Sequence, residues 1–166
     1  NLILPEIFLS LSIFAALLIG VFFKNSYNLI TKTVYIIIIS LLLIIFYSFN
    51  ESGNLFSNSF ISNSFTNFFK ILILLGTLFV MLITQNFIKE MKINYFEYPL
   101  LLLFSVLGMF FMVSSNDLMS FYLGLELQSL ALYILASIDK DNIKSNESGI
   151  KYFVLSALSS GLLLYG

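Results

Sequence analysis

This chain of 166 residues is 59% hydrophobic and 10% charged, with a net charge of −1 and a mean hydropathy of +0.98. Because a soluble domain carries roughly 25% charged residues, the composition predicts a protein whose solvent is the lipid bilayer. Cysteine and histidine are absent, which excludes disulfides, thiolate nucleophiles and the usual ligands of haem, zinc and iron–sulfur clusters. No metal site and no nucleic-acid partner are expected, since the carboxylates are scattered and no basic block is present.

Six apolar runs follow one another along the chain, each of a length that can cross a bilayer as a helix. They predict an all-α integral membrane protein with about six transmembrane helices in a single membrane domain, residues 1–166. A β-barrel is disfavoured because the runs are continuous rather than alternating. A polar loop is expected over residues 50–67. The predicted helices cover residues 2–23, 33–49, 68–87, 98–113, 118–138 and 148–166.

The lysines predict the orientation of these helices. Seven of the eight basic residues lie in or beside the loops after the first, third and fifth helices: Lys24, Lys32, Lys89, Lys92, Lys140, Lys144 and Lys151. The other side has only Lys70, at the edge of the third run. The positive-inside rule then places the N-terminus outside. No targeting peptide is visible, and the residue usage is that of an AT-rich genome, for which an organelle is one plausible source.

The fifth run carries the most informative residue, Glu126. It lies nine residues after Asp117, the expected N-cap of this helix, and therefore near the middle of the membrane. An acidic residue at that depth costs about 2.5–3.5 kcal/mol or more, so it is a candidate functional group. It belongs to a polar stripe that should face other helices, and Gln128 should face a different neighbour. The stripe consists of Tyr122, Glu126, Ser129, Tyr133 and Ser137.

The sixth run carries Lys151, which follows Glu126 after one short loop. Antiparallel helices joined in this way are neighbours, so Lys151 is a candidate partner for the carboxylate. Two simpler interpretations stay open: Lys151 extends to the inner surface, or Glu126 sits in a fixed structural ion pair. Glu6 is expected at the outer interface. The small residues Ser156, Ala157, Ser160 and Gly161 are typical of close helix packing.

Three segments resemble chain 2 of the proton-pumping NADH:ubiquinone oxidoreductase, respiratory complex I, called subunit N in bacteria. They are FYLGLELQSL at residues 121–130, KYF continuing to ALSSGLLLYG at residues 151–166, and LPE at residues 4–6. The chain fits the first six helices of that family, which is the N-terminal part of an antiporter-like helix bundle. The resemblance implies that Glu126 and Lys151 contribute to a proton translocation path.

The resemblance also implies the partners and the location. The chain would be a subunit of an H⁺-translocating NADH:ubiquinone reductase and would do no redox chemistry itself. Flavin, iron–sulfur clusters and quinone are expected in other subunits, and no cofactor in this chain. Its partners would be other membrane-arm subunits and the lipid bilayer. The expected location is the mitochondrial inner membrane, with the N-terminus on the intermembrane-space side; a bacterial or plastid membrane is the alternative.

The family subunit has many more helices, among them the seventh, whose lysine partners the helix-five glutamate. This departure favours either a split gene, with the remaining helices on a second chain, or a truncated sequence. Two other functions stay open. One is a subunit of a multisubunit cation/proton antiporter, and the other is a purely structural membrane scaffold.

Overall fold

The computed structural model describes residues 2–23, 27–90 and 95–166, without the side chains of residues 86, 87, 89 and 90. This part of the chain contains six helices that are long and apolar enough to cross a membrane, which confirms the predicted fold class. The helices are α1 (Leu4–Phe22), α2 (Tyr27–Tyr47), α3 (Ser64–Glu90), α4 (Glu97–Ser114), α5 (Leu118–Ala136) and α6 (Ile143–Tyr165). Pro5 and Pro99 lie in the first turns of α1 and α4, where no N–H partner is lost.

Three helices extend beyond the apolar runs that predicted them. Helix α2 begins at Tyr27 rather than at residue 33, α3 begins at Ser64 rather than at residue 68, and α6 begins at Ile143 rather than at residue 148. The residues added to α3 and α6 are mostly polar, whereas those added to α2 are mixed and include the buried Ile30. Hydropathy identifies only the apolar part of a helix, whereas backbone hydrogen bonding continues into the interface, and at α6 the side chain of Asn142 caps the first turn.

The segment predicted as a polar loop, residues 50–67, contains a β-hairpin and the first turn of α3. Strands β1 (Gly53–Leu55) and β2 (Phe60–Ser62) pair antiparallel. The turn between them places three residues at positive φ: Phe56, Ser57 and Asn58. Phe60 also forms an isolated bridge with Ser115, at the end of α4. The hairpin therefore lies over the helix ends instead of extending freely into water.

Because successive helices are antiparallel, one end of the bundle carries the hairpin. We call it the hairpin end; it is formed by the starts of α1, α3 and α5 and by the ends of α2, α4 and α6. The lysine distribution predicts that this is the outer end and that the lysine-rich end is the inner one. Lys24 and Lys92 lie outside the described residues, as does the side chain of Lys89.

The apolar core is formed by the first four helices, with α4 at its centre. Helix α4 packs against α1, α2, α3 and α5, whereas α6 packs mainly against α5. The fully buried core side chains come from each of the first four helices and include Leu9, Ile13, Val34, Ile38, Leu41, Leu74, Val106 and Phe110. This arrangement places α5 at the edge of the core, with one face against α4 and another toward α6.

Candidate functional site

Helix α5 is held against α4 by two glycines. A Cβ added to Gly108 would lie 2.5 Å from the backbone nitrogen of Gln128, and one added to Gly124 would lie 2.8 Å from that of Met112. Only glycine lets two helix backbones approach this closely. Gly124 and Gln128 are four residues apart, so they mark the face of α5 that is turned toward α4.

Glu126 lies about 200° around α5 from both Gly124 and Gln128, and therefore faces away from α4. This agrees with the prediction that Gln128 and Glu126 have different neighbours. The Glu126 side chain is half-buried. Its Oε1 atom is buried and has no hydrogen-bond partner among the described residues. A carboxylate with an unmet acceptor inside a membrane-spanning helix is available to bind a proton or a water molecule.

The part of the polar stripe nearer the lysine-rich end faces another helix, α6, in agreement with the prediction that the stripe faces other helices or a water cavity. The Tyr133 hydroxyl donates to Ser156 Oγ at 2.5 Å. The Tyr133 ring makes edge contacts with the rings of Tyr152 and Phe153, at centroid distances of 4.9 and 5.6 Å. Gly149 abuts Ser137, whose Cβ would lie 2.6 Å from a Cβ added to the glycine. These contacts fix α6 alongside the last two turns of α5.

Lys151 and Glu126, which were expected to be neighbours, do not form an ion pair in the described part of the chain. Lys151 Nζ lies 2.5 Å from Oε1 of Glu147, one turn earlier in α6, and its side chain is 67% exposed. Since Gly149 is level with Ser137, Lys151 is level with the last turn of α5. Lys151 is therefore about nine residues from the level of Glu126, or roughly 13.5 Å along the helix axis, and the two side chains do not meet.

The structure contains a buried ion pair that the sequence did not predict. Lys70 Nζ lies 2.6 Å from Glu6 Oε1, and the two side chains are 0% and 1% exposed. Glu6 was expected in a first turn near the outer interface, and it does lie in the first turn of α1 but is buried. Lys70 was expected at the edge of the third apolar run, whereas α3 begins at Ser64 and Lys70 is its seventh residue. Each residue lies inside its helix, so each side chain can reach the bundle interior rather than water.

The surroundings of this pair come from three further positions at the hairpin end. The Ser114 hydroxyl donates to Glu6 Oε1 at 3.4 Å. The Lys70 ammonium lies 5.5 Å from the ring centre of Phe60 and 5.9 Å from that of Phe110, distances at which an aromatic face stabilises a cation. Glu6 Oε2 is buried and has no hydrogen-bond partner among the described residues.

A sequence signal for this pair did exist. Glu6 is an acid within the first apolar run, and Lys70 is the one lysine that departs from the inner-side pattern. Both lie within the first two turns of helices that begin at the same end of the bundle. Opposite charges at similar depth favour contact, but the sequence does not specify that α1 and α3 approach each other through α4.

Two further predictions concern the N-cap of α5 and the small residues of α6. Asp117 is the N-cap of α5, as predicted: its carboxylate accepts the Ser120 N–H at 2.6 Å. Hydrogen bonds from Ser120, and a weaker one from Ser59, lower the pKa of Asp117 below its usual 3.8. Within the described residues a Cβ added to Gly161 would meet no atom within 4 Å, so the close packing of small residues on α6 stays a prediction.

Known proteins are similar to this chain in both sequence and fold. Residues 115–166, which include α5 and α6, match a family model described as NADH:quinone oxidoreductase/Mrp antiporter, TM. The whole chain is 54% identical to NADH-quinone oxidoreductase subunit N from Pelagibacter ubique, covering 100% of this chain and 36% of the relative. The corresponding protein from Bartonella bacilliformis is 49% identical, covering 99% and 34% of the two chains.

A solved structure shares the fold. A chain of respiratory complex I from Thermus thermophilus with bound aureothin superposes with a TM-score of 0.80 and 24% identity, covering 97% of this chain and 35% of that one. The present sequence therefore spans about a third of the length of the relatives it matches, and the predicted resemblance is confirmed over that third.

Proposed function

Since the chain is homologous to the N-terminal part of NADH-quinone oxidoreductase subunit N, we propose that it forms part of the membrane arm of that enzyme and contributes to proton translocation. In this proposal Glu126 is the group that accepts and releases the proton. The observation that carries the proposal is the buried Oε1 of Glu126, which has no hydrogen-bond partner among the described residues. A carboxylate held in a spanning helix at such cost, with an acceptor left free, is suited to carrying a proton.

Lys151 would serve the same path from the lysine-rich end. Its exposed side chain and its contact with Glu147 suit a group that exchanges protons with the inner aqueous phase rather than one that pairs directly with Glu126. Water or residues outside this sequence would have to bridge the two sites. The remaining helices of the subunit, whether on the same polypeptide or on a second chain, are the natural source of those residues.

Two details of the proposal concern cofactors and location. The chain would hold no redox cofactor, and flavin, iron–sulfur clusters and quinone would be bound by other subunits. The relatives named above are bacterial, which favours a bacterial membrane over the mitochondrial inner membrane first expected. In both locations the N-terminus would lie on the side away from the matrix or cytoplasm, as the lysine distribution predicts.

The alternative with a specific observation in its favour is a subunit of a multisubunit cation/proton antiporter. The description of the matching family model covers both kinds of protein. Purification of the native assembly separates them: peripheral subunits with flavin and iron–sulfur clusters support the oxidoreductase, and their absence supports the antiporter. A purely structural scaffold is less favoured, because that function requires a fixed partner for Glu126 and the described residues supply none.

The principal test is Glu126→Gln in the full-length subunit within the assembled complex. This change keeps the side-chain shape and removes the titratable proton. We expect the rate of proton translocation to fall by roughly 10²-fold or more, at the lower end of the effect of removing a proton-transfer group. Proton uptake by membrane vesicles during NADH oxidation is the measurement.

The matched control is Asp141→Asn, which removes one carboxylate from the exposed loop between α5 and α6. It should assemble and pump as the unmodified protein does. If Glu126→Gln and the control behave alike, with normal assembly, Glu126 is not the proton carrier.

A further inference from the structure

The hairpin end contains a concentration of buried polar side chains, among them Glu6 and Lys70. Among the described residues, six of the ten buried polar or charged side chains lie there: Glu6, Ser62, Thr66, Asn67, Lys70 and Ser114. They come from α1, α3, α4 and the hairpin, and no sequence pattern predicted them as a group. Polar groups concentrated at one depth of a membrane protein mark a site that water or ions reach.

Stability alone is a poor explanation for the charged pair. Replacing a buried ion pair by apolar groups of similar size is often neutral or stabilising, because desolvation offsets the attraction. Two apolar side chains would fill the same space between Phe60 and Phe110 without that cost. The pair also leaves one oxygen, Glu6 Oε2, without a hydrogen-bond partner among the described residues. A site built only to hold helices together would gain by satisfying that atom.

We propose that Glu6 and Lys70 form a second ionisable site, which holds one exchangeable proton and passes it to the aqueous phase at the hairpin end. The inference rests on the proposed function, since it adds a site to the same translocating subunit. It is independent of Glu126, which faces away from α4, whereas the Glu6–Lys70 site contacts α4 through Ser114 and Phe110.

The transfer needs no other reactant. Nζ and Oε1 lie 2.6 Å apart, although the contact does not have the geometry of a hydrogen bond. Once the ammonium turns an N–H toward Oε1, that N–H bond breaks as an O–H bond forms on Glu6. Both groups then become neutral, and the total charge of the pair is unchanged. Rotation of the neutral carboxyl group by half a turn brings its O–H to the position of Oε2, where a water molecule can accept the proton. A proton carried by water then restores the ammonium of Lys70.

The position of Glu6 in its helix gives the transfer a direction. Glu6 is the third residue of α1 and Lys70 the seventh of α3, counted from the hairpin end. At 1.5 Å per residue their backbones lie roughly 3 and 9 Å below the helix starts, although the charged atoms themselves are 2.6 Å apart. The backbone of Glu6 therefore lies nearer the outer water. It also lies in the first turn of α1, where the helix dipole favours a negative charge.

The groups that face the pair are few. Helix α1 contributes Glu6 and α3 contributes Lys70, while α4 contributes the Ser114 hydroxyl and the Phe110 ring and the hairpin contributes the Phe60 ring. Within the described residues no third ionisable side chain forms an ion pair with either member. The charge state of the site therefore depends on these two groups and on water.

The test is the double variant Glu6→Gln/Lys70→Met in the full-length subunit of the assembled complex. It removes both charges together, so no unpaired charge stays buried, and it keeps the side-chain volumes similar. We expect assembly and NADH oxidation to persist while the rate of proton translocation falls by roughly tenfold or more. Translocation at the unmodified rate in the assembled double variant overturns the proposal.

A second variant covers the case in which the double variant does not assemble. Glu6→Asp keeps both charges but shortens the acid by one methylene, which draws the carboxylate away from Nζ. Slower translocation per assembled complex supports the exchange of a proton within the pair. An unchanged rate means that the pair is structural only, because a structural attraction tolerates the longer distance.

Glu126→Gln, measured in parallel, separates the two proposals. If it slows translocation while the Glu6 and Lys70 variants do not, only the second site is rejected. If none of these variants changes translocation, the proposed function itself is rejected.

Discussion

The two halves of this bundle treat charge in opposite ways. In the half formed by α1, α3 and α4, Glu6 and Lys70 are fully buried and paired. In the half formed by α5 and α6, Glu126 has a buried oxygen with no hydrogen-bond partner in the described part of the chain, and Lys151 is exposed beside Glu147. Half of the most apolar stretch of α4 is buried inside the bundle, against 11% of the most apolar stretch of α6. Among the described residues, charge is therefore compensated at Glu6 and Lys70 and left open at Glu126. Glu97, at the start of α4, also has a buried oxygen, Oε2, without a hydrogen-bond partner among these residues, so packing against α4 does not by itself compensate a charge.

The contrast shows that a fully buried charge in a membrane protein requires an oppositely charged group within bonding distance. A buried ion without a partner destabilises its surroundings, so the packed half can retain Lys70 only because Glu6 is within bonding distance. Glu126 lies where one face of α5 is not covered by α4, and its environment can change as other helices or water approach. The predictions below test this difference, from the largest expected effect to the smallest.

The first prediction breaks the compensated pair from one side. Lys70→Met leaves the Glu6 carboxylate buried without a cation, which should destabilise the subunit by about 3–5 kcal/mol. The amount of assembled membrane arm, measured on native gels, should fall strongly. Lys144→Met is the matched control, because it removes the same side chain from an exposed position and should leave assembly unchanged. Normal assembly of both variants would show that the pair contributes little to packing.

The second prediction concerns the glycine contact between the two halves. Gly108→Ala places a Cβ 2.5 Å from the backbone of Gln128, and neither helix backbone can move aside easily. The overlap should cost about 1–3 kcal/mol. Gly161→Ala is the opposite case, since its Cβ meets nothing within 4 Å, and alanine favours the helix by about 0.5–1 kcal/mol. Thermal unfolding in detergent should lower the midpoint for the first variant and not for the second.

These glycines also show how far the sequence could predict the fold. The length of the apolar runs predicted six spans, and helical periodicity predicted a polar stripe. Both are local properties of the sequence. It gave no means of choosing between Gly108 and Gly161, since a close approach depends on which helix lies opposite. The same limit explains the ion pair: Glu6 and Lys70 lie 64 positions apart, and only the packing of α1 and α3 around α4 brings them together.

The candidate site was predictable in part for the same reason. The depth of Glu126 and its separation from Gln128 follow from helix geometry alone. The expected contact with Lys151 required the axial register of α5 and α6. That register is set by Tyr133 against Ser156 and by Ser137 against Gly149, which place Lys151 too near the inner end. Short loops predict which helices are neighbours, but the level at which their side chains meet depends on these packing contacts.

The last prediction addresses Asp117, the exposed cap where α5 begins beside the hairpin. Hydrogen bonds from Ser120 lower the pKa of Asp117 below 3.8, so its folded-state pKa lies below the unfolded value. Its contribution to the helix start is therefore present above pH 3.8 and is lost as the pH falls through the folded-state pKa. The effect should be the smallest of the three, because the carboxylate is exposed to solvent. Hydrogen–deuterium exchange of the first turn of α5 should be faster in Asp117→Ala than in the unmodified protein at neutral pH, and the two should converge in acid.

Asp141→Ala, outside any cap, should exchange like the unmodified protein at every pH. A difference between Asp117→Ala and the unmodified protein that persists below the folded-state pKa would mean that the cap acts through packing against the hairpin rather than through its charge.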